Sequence, residues 1–318
     1  MKHLVKLIKD FPPTTEYKYD EDLWHQQHGD SFVIINCRAT DIYYPEHWTP
    51  FSLKCAFNGK EFYKLKNTTY AVTDTNFLVL NQGCEYASYI LSDSVTESFT
   101  LNFTPYNLSL LHSVYGRDSL QLLDNPFQLN KNGSPFFEKL YPYNAALALY
   151  IGQLKNLITC QHVDCLAITE ILYCILEEVF LLNNHSIKEA DGIMAKKRAT
   201  RLELYKRLSI VKDYLNSCYN EDITLERMAE TCYLNPFHLL REFKKLYRVT
   251  PHQYLTRIRL QEAEKLISSS RAPINNVVQE VGFQDPTSFI RLFKKHYGVS
   301  PNIYRSMKLK KSPSRSLI

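Results

Sequence analysis

The chain has 318 residues, of which 45% are hydrophobic, 13% aromatic and 22% charged, with a formal net charge of +5 at pH 7. This length predicts about two domains, and the composition excludes a wholly disordered chain. No run of about 18 uncharged apolar residues occurs, and Asp10 and Pro12-Pro13 interrupt the N-terminus before an apolar segment of signal-peptide length. We therefore expect a cytoplasmic protein with no membrane partner.

The charge is unevenly distributed along the chain. Residues 201–318 contain 21 Lys and Arg against 11 Asp and Glu, a net charge of +10, whereas residues 1–200 contain 17 against 22, a net charge of −5. A basic C-terminal third predicts contact with a polyanion, most commonly a nucleic acid.

The eight cysteines are scattered and include no CxxC pair, which is typical of free thiols rather than a disulfide framework. His162, Cys165 and Cys174 are conceivable metal ligands, but their apolar helical context favours cysteines of the core. We predict no metal and no cofactor.

Residues 1–125 are predicted to be rich in β-strand, because segments of Val, Ile, Phe, Tyr and Thr are separated by turns such as Asn58-Gly59. The predicted strands are Ser31–Cys37, Phe51–Phe57, Phe62–Leu65, Thr69–Val72, Asn76–Leu80 and Glu97–Phe103. Short strands with hairpin turns suggest a small barrel or sandwich, although the whole chain has only nine glycines for tight corners.

Apolar residues then recur at helical spacing over residues 144–158 and 163–183. We expect two helices that pack on each other and offer a surface for a homodimer. Asn183-Asn184-His185-Ser186 is predicted to end the second helix. A linker follows, and it contains the basic run Lys196-Lys197-Arg198. A helix at 201–216 and six further helices are predicted up to about residue 308.

An internal repeat is the strongest signal in the sequence. LLREFKKLYRVTPHQYLTR at 239–257 matches FIRLFKKHYGVSPNIYRSM at 289–307 with a shift of 50 residues. Upstream the shift is 49, where Leu225 matches Ile274 and Ala229 matches Val278. One additional residue in the turn of the second copy accounts for the change.

Each copy has the pattern of a helix-turn-helix. First helices are predicted at about 224–232 and 274–281 from apolar residues at positions i, i+3, i+4 and i+7. After a tight turn, Asn235-Pro236 and Asp285-Pro286 supply an N-cap and an N-terminal proline for second helices at about 236–247 and 286–297. In DNA-binding versions of this motif the second helix lies in the major groove.

The helical phase divides each second helix into two faces. Leu239, Phe243, Phe289 and Phe293 are predicted to point inward. The residues predicted to contact DNA are Phe237, Leu240, Arg241, Lys244, Lys245, Thr287, Ser288, Ile290, Arg291, Lys294 and Lys295. Arginine suits guanine O6 and N7, apolar side chains suit the thymine methyl group, and late lysines suit phosphates. The alternative for either arginine is a surface ion pair with an acid such as Glu242.

Residues 251 to about 268 are predicted to form one long helix between the copies. Eighteen residues rise about 27 Å, a length that suits two recognition helices placed near one DNA turn, ~34 Å, apart. One chain would then read two successive major-groove faces. A helical bundle that arose by duplication and makes no DNA contact is the alternative.

Residues 205–308 resemble the DNA-binding domain of the AraC/XylS family of bacterial transcription regulators. The second copy follows the family signature from Ile274 to Arg305, including Gly282-Phe283 and Phe289-x-Arg291-x-Phe293-Lys294-Lys295. Three positions depart from the family: Val278 replaces a usual alanine, and Arg248 and Thr250 replace a frequent Gly and Ser. The resemblance implies binding to double-stranded promoter or operator DNA and control of transcription, usually activation through contact with RNA polymerase.

The resemblance also implies an α+β protein of two domains. The N-terminal domain would be a cupin-like β-barrel with trailing helices that binds a small-molecule effector or mediates dimerisation. The C-terminal domain would be all-α, with two helix-turn-helix units joined by a long helix. We assign 1–186 to the sensor or dimerisation domain, 187–202 to a linker, 203–308 to the DNA-binding domain and 309–318 to a basic tail.

Three other functions are considered. One is a regulator without a ligand, in which residues 1–185 only dimerise. Another is an architectural DNA binder without sequence preference. The third is a cupin-type metal enzyme, which needs a His-x-His motif; the nearest candidate here is His25-x-x-His28. The sequence also lacks Gly-x-Ser-x-Gly and a glycine-rich phosphate loop, so we predict no catalytic residue.

Overall fold

The computed structural model describes residues 5–11, 31–115, 135–159 and 164–311. The chain divides into two compact units, Met1–Lys206 and Arg207–Ile318. The first unit is a β-sheet with helices, and the second is entirely helical where the structure describes it. The prediction of a mixed α+β protein with a helical C-terminal part is confirmed.

The first unit is built on one eight-stranded sheet. Its strands are β1 (Val5–Ile8), β2 (Phe32–Thr49), β3 (Phe51–Phe57), β4 (Glu61–Leu65), β5 (Thr68–Val72), β6 (Asn76–Leu80), β7 (Cys84–Phe103) and β8 (Leu140–Pro142). The order is β1-β2-β7-β3-β6-β8, and β4 pairs with both β7 and β5. Only β1 and β2 are parallel among these pairs.

Strands β2 and β7 are much longer than the sequence predicts, with 18 and 20 residues. They pair from Val33 opposite Asn102 to Thr49 opposite Cys84, and the register shifts twice along the way. One half of β7 also pairs with β3 and the other half with β4. The two long strands therefore pair with each other and with three further strands, β1, β3 and β4.

The predicted cupin-like closed barrel is not confirmed. Within the described residues the hydrogen-bonded path starts at β1 and ends at β8, and the sheet is not closed. The physical reason is that β2 and β7 stay paired along nearly their whole length instead of separating into shorter strands that return to the opposite edge.

Both faces of the sheet are covered around β6, which explains its apolar run from Phe77 to Leu80. Phe77 and Val79 point to a core shared with the helices, whereas Leu78 and Leu80 point to a second cluster formed with the β4–β5 hairpin. The helices of this unit are α1 (Pro105–Tyr115), α2 (Ala145–Thr159) and α3 (Cys165–Asp191). Buried residues of α2 and α3 pack together in the first core.

Helix α3 continues eight residues beyond the predicted end at Asn183, so the prediction that Asn183–Ser186 terminates it is wrong. The Asn183 side chain is 2% exposed, and its Oδ1 accepts hydrogen bonds from the Phe137 amide (3.0 Å) and the Tyr141 hydroxyl (3.1 Å). The Ser186 hydroxyl donates to the Leu182 carbonyl within the helix. These polar side chains are therefore satisfied in a helix rather than in a turn.

The seven cysteines that the structure describes are free thiols. No group of three or more His, Cys, Asp or Glu side chains in the described ranges could hold a metal ion. The candidate ligands His25, His28 and His162 lie outside these residues. No helix in the described part of the chain is long and apolar enough to cross a membrane.

Seven helices lie between residues 198 and 311, the last residue that the structure describes. They are α4 (Arg198–Ser217), α5 (Leu225–Thr231), α6 (Pro236–Tyr247), α7 (Pro251–Ser269), α8 (Ile274–Glu280), α9 (Pro286–Tyr297) and α10 (Pro301–Lys311). Helices α6 and α9 have the bounds that the cap residues predict. The basic run of the expected linker leads directly into α4, and the assigned domain boundaries stay a prediction.

The internal repeat is visible in the packing of aromatic rings. Each copy closes its core with a phenylalanine, a tyrosine four residues later and a tyrosine of the following helix. These rings are Phe243, Tyr247 and Tyr254 in the first copy and Phe293, Tyr297 and Tyr304 in the second. The phenylalanine centroid lies 4.5 and 4.6 Å from the first tyrosine and 5.8 and 5.6 Å from the second, in the two copies respectively. The two copies thus share one packing geometry.

Helix α7 belongs to both copies. Near its N-terminus Tyr254 packs on the rings of α6, whereas Leu260, Ala263 and Ile267 lie in the core formed with α8 and α9. The Arg259 guanidinium donates 2.7 Å hydrogen bonds to the Tyr219 and Glu221 carbonyls, which fixes α7 to the segment before α5. A 19-residue helix therefore joins the two helix-turn-helix units by packing as well as by connectivity.

Candidate nucleic-acid interface

Both second helices begin at side-chain caps. Asn235 Oδ1 accepts from the Phe237 amide at 3.0 Å, and the Asp285 carboxylate accepts from the Thr287 and Ser288 amides at 3.0 and 2.8 Å. Hydrogen bonds from Ser288, and then from Thr287, lower the pKa of Asp285. A proline follows each cap, where its missing N–H is not needed.

The two turns have the same hydrogen bonds but different lengths. The Leu234 amide donates to the Ala229 carbonyl, and the Phe283 amide donates to the Val278 carbonyl, both at 3.0 Å. The residue before each amide has a positive φ angle: Tyr233 at 54° and Gly282 at 85°. Gln284 is the additional residue in the second copy, as the change of shift predicts.

The faces of α6 and α9 agree with the helical phase. Leu239, Phe243, Phe289 and Phe293 are fully buried. The predicted contact residues are all exposed except Ser288, which is half-buried. Phe237 is 82% exposed, and Leu240 and Ile290 are 36% and 42% exposed. Two apolar and basic helix faces are therefore presented to solvent.

Both helices end in a left-handed residue after a pair of lysines. Arg248 has φ 64° and Gly298 has φ 81°, and their amides donate to the Lys244 and Lys294 carbonyls at 2.9 Å. Glycine adopts this conformation without steric cost, whereas arginine does not. The departure from the family pattern at Arg248 is therefore a strained helix end, away from the base-reading positions.

Arg241 forms the ion pair that the sequence offered as an alternative. Its Nε donates to Glu242 Oε1 at 2.7 Å, and its Nη2 lies 3.0 Å from His238 Nδ1. Lys245 Nζ donates to the same Glu242 oxygen at 3.1 Å. Although Glu242 is 8% exposed, the Arg241 side chain remains 63% exposed. The arginine is thus paired and accessible at once.

Burial raises the pKa of Glu242, but hydrogen bonds from Lys245 and Arg241 outweigh it, so the pKa is lowered overall. The carboxylate is therefore ionised at neutral pH. Leu292 occupies the matching position in α9. No residue in the described ranges forms a hydrogen bond or ion pair with the Arg291 side chain. The sequence predicted Glu242 only as an alternative partner of Arg241. The signal that distinguishes the two helices is the acid at position 242 of α6 against Leu292 at the matching position of α9.

A second candidate site is a partly open pocket of about 50 Å³ on the sheet of the first unit, lined by residues of β2, β3, β4 and β7. The side chains of its wall that matter most here are Phe11, Tyr44, Trp48, Lys54, Glu61 and Tyr86. These residues come from distant parts of the sequence, and no motif predicts them.

The pocket contains buried charges. Lys54 and Glu61 are each 4% exposed, and Lys54 Nζ donates to the Tyr86 hydroxyl at 2.8 Å. Glu61 Oε2 has no hydrogen-bond partner in the described residues. Burial lowers the pKa of Lys54 to about 8 and raises that of Glu61. An unpartnered buried carboxylate oxygen in a pocket is available to a polar ligand.

Residues 228–307 match the family described as "Helix-turn-helix domain". YisR of Bacillus subtilis (strain 168), described as an uncharacterized HTH-type transcriptional regulator, is 26% identical over 268 residues, 81% of this chain and 86% of YisR. The lactose operon transcription activator of Staphylococcus xylosus is 34% identical over 93 residues, 29% of this chain and 33% of that protein.

Among solved structures, the DNA-binding domain of AdpA in complex with a target DNA is similar to this chain, with 25% identity and a TM-score of 0.33. The similarity covers 34% of this chain and 97% of that domain. The duplicated caps, turns and ring clusters agree with the family match. Residues 228–307 therefore belong to a helix-turn-helix domain, and the relatives named above are described as an HTH-type transcriptional regulator and an operon transcription activator.

Proposed function

We propose that the protein is a sequence-specific DNA-binding regulator of transcription of the AraC/XylS type, acting as an activator on promoter or operator DNA. The observation that carries the proposal is the matched pair of faces on α6 and α9. Each face exposes an arginine, two lysines and at least one apolar side chain. Beneath these lie two fully buried residues, Leu239 and Phe243 in α6 and Phe289 and Phe293 in α9. Contact with RNA polymerase is part of the proposal by family resemblance.

Each class of exposed residue has a distinct role in this proposal. Arg241 and Arg291 contact base edges, Phe237, Leu240 and Ile290 contact thymine methyl groups, and the four lysines contact phosphates. Thr287 and Ser288 lie in the first turn of α9, where short polar side chains reach a base or a phosphate. The domain division is 1–186, 187–202, 203–308 and 309–318, with the last ten residues as a basic tail.

Selection from random duplexes tests the proposal directly. The expected result is a preferred asymmetric site that covers about two major-groove faces. Competition with random duplex at fixed salt then measures selectivity, because salt sets the non-specific contribution. Equal affinity for selected and random duplexes would establish an architectural binder and overturn the proposal.

The pocket around Lys54 and Glu61 supports an effector-controlled regulator as a second part of the proposal. Lys54 and Glu61 partly compensate each other's charge, and the unpartnered Oε2 of Glu61 leaves a buried acceptor for a polar ligand. A thermal-shift screen of metabolites, repeated on Lys54→Met and Glu61→Gln, is the test. A ligand that stabilises wild type but neither variant is expected. The absence of any shift in the wild-type melting temperature would overturn this second part of the proposal and agree with the alternative of a regulator without a ligand.

We do not assign an enzymatic activity. The relatives named above are described as transcription regulators, and no enzymatic activity is part of this proposal.

A further inference from the structure

The two recognition helices differ in one charge beneath their reading faces. The segments PFHLLREFKKLY and PTSFIRLFKKHY each have one arginine and two lysines, but only the first contains an acid, Glu242. The matching residue of α9 is Leu292, which is partly buried and packs against the hydrophobic core formed by α7, α8 and α9. The duplication therefore produced one helix with a buried carboxylate and one without.

The Glu242 carboxylate accepts hydrogen bonds from two exposed cationic side chains. One Glu242 oxygen accepts from Arg241 Nε at 2.7 Å and from Lys245 Nζ at 3.1 Å, while the two cationic side chains remain 63% and 52% exposed. His238 Nδ1 fixes a further nitrogen, Nη2, at 3.0 Å. The Nη1 group of Arg241 has no hydrogen-bond partner among the described residues and stays available to a base.

A held guanidinium has two consequences for binding. An arginine already fixed in one plane loses less side-chain freedom when it meets guanine O6 and N7. The same carboxylate cancels one positive charge next to Lys245, which weakens attraction to phosphates of any sequence. In α9 neither effect is present, because no carboxylate in the described part of the chain forms an ion pair with Arg291, Lys294 or Lys295.

We propose that Glu242 is a positioning residue that makes α6 the more selective of the two recognition helices, by holding Arg241 for base contact and by reducing the affinity of α6 for DNA of arbitrary sequence. This inference rests on the proposed function. It predicts a division of labour in which α9 supplies more of the salt-dependent affinity and α6 more of the discrimination between bases.

The test uses the full chain, the duplex selected by wild-type protein and random duplex. Glu242→Gln retains the shape of the side chain and removes its charge. Glu262→Gln is the matched control, because Lys265 Nζ donates to Glu262 Oε1 with the same i,i+3 spacing on α7. Arg241→Ala first identifies the base pair that Arg241 reads, as the position at which sequence preference is lost.

Glu242→Gln is expected to bind random duplex about two- to fivefold more tightly at fixed salt. Discrimination at the base pair assigned to Arg241 should fall about tenfold, with no change at the base pair assigned to Arg291. Glu262→Gln should leave both quantities within about twofold of wild type. In an Arg241→Ala background, Glu242→Gln should no longer alter base discrimination. This last readout is insensitive to a merely structural role of Glu242.

Two results would overturn the inference while leaving the proposed function intact. One is wild-type selectivity with an unchanged profile in Glu242→Gln. The other is an equal effect of the control, which would mean that any lost acid in this unit raises DNA affinity. Should Glu242→Gln lower the melting temperature, Glu242→Leu, which copies the residue of α9, supplies the same comparison. Wild-type protein without any preferred duplex would overturn the proposed function itself.

Discussion

The turn of the second helix-turn-helix unit depends on a glycine for two separate reasons, and a matched pair of substitutions separates them. Gly282 has φ 85°, and a Cβ there would lie 2.7 Å from the Asn220 carbonyl oxygen and 2.9 Å from two further backbone atoms of Asn220. Gly298 has φ 81°, but a Cβ there would meet nothing within 4 Å. Gly298→Ala therefore tests backbone conformation alone, whereas Gly282→Ala adds a steric clash.

The left-handed conformation costs an alanine about 1–2 kcal/mol, so Gly298→Ala should lower the free energy of unfolding by about that amount. Gly282→Ala adds an overpacking cost of about 1–3 kcal/mol, because the atoms it meets are backbone and cannot rotate away. The expected total is about 2–5 kcal/mol. With a urea m-value of about 1 kcal/mol/M, the midpoint should fall by about 2–5 M for Gly282→Ala and by about 1–2 M for Gly298→Ala.

Circular dichroism at 222 nm follows the urea unfolding of the helices of both units, most of which belong to the second. Trp24 and Trp48 both belong to the first unit, so tryptophan fluorescence reports that unit separately and should not shift. Equal losses for the two variants would refute the steric reasoning. A loss for Gly282→Ala below about 0.5 kcal/mol, within the range of ordinary surface changes, would refute the conformational reasoning as well.

Arg241→Ala and Arg291→Ala should each cost about 1–3 kcal/mol on the preferred duplex and relax preference at different base pairs in a binding titration; wild-type profiles for both would mean that the reading face is assigned wrongly. Lys294→Ala should weaken binding to all duplexes alike and reduce the salt slope by about 1, and a sequence-dependent effect would contradict a phosphate contact. Burial lowers the pKa of His47 to about 4. Between these pH values the unfolded chain therefore binds a proton that the folded chain excludes. The free energy of unfolding should fall by up to about 3 kcal/mol as the pH drops from about 6.5 to 4. The urea midpoint of His47→Gln should depend less on pH over this range than that of the wild type. Asn183→Ala should lower stability by about 1–3 kcal/mol, because two buried donors lose their shared acceptor; an unchanged melting temperature would show that water replaces the amide.

Local sequence signals predict the recognition helices well because the determinants are local. Asn235-Pro236 and Asp285-Pro286 set the first residue of α6 and α9, and the lysine pairs precede the left-handed ends. The buried face follows from helical phase alone. Exposure of Arg241 and Arg291 could be predicted on the same basis, and the structure places both on the outer face.

Features that depend on distant residues were not predictable in the same way. The middle of β7 contains Ser92, Asp93 and Ser94, which resemble a turn and lie at a register shift, yet pairing with β2 continues on both sides of them, at Leu91 and Thr96. Helix α3 passes through Asn183 because segment 135–142 supplies its hydrogen-bond partners. The pocket around Lys54 and Glu61 exists only because four strands meet there.

The final helix, α10, has a structural role that its sequence position does not suggest. Its Tyr304 ring packs edge-on against Phe293 and close to Tyr297, as Tyr254 of α7 does in the first copy. Removing residues 301–311 would therefore leave two aromatic rings of the second unit uncovered, although no base or phosphate contact is assigned to that helix. Shortened forms that end soon after Gly298 should lose the second DNA contact through loss of folding, whereas α7 would still complete the core of the first helix-turn-helix copy.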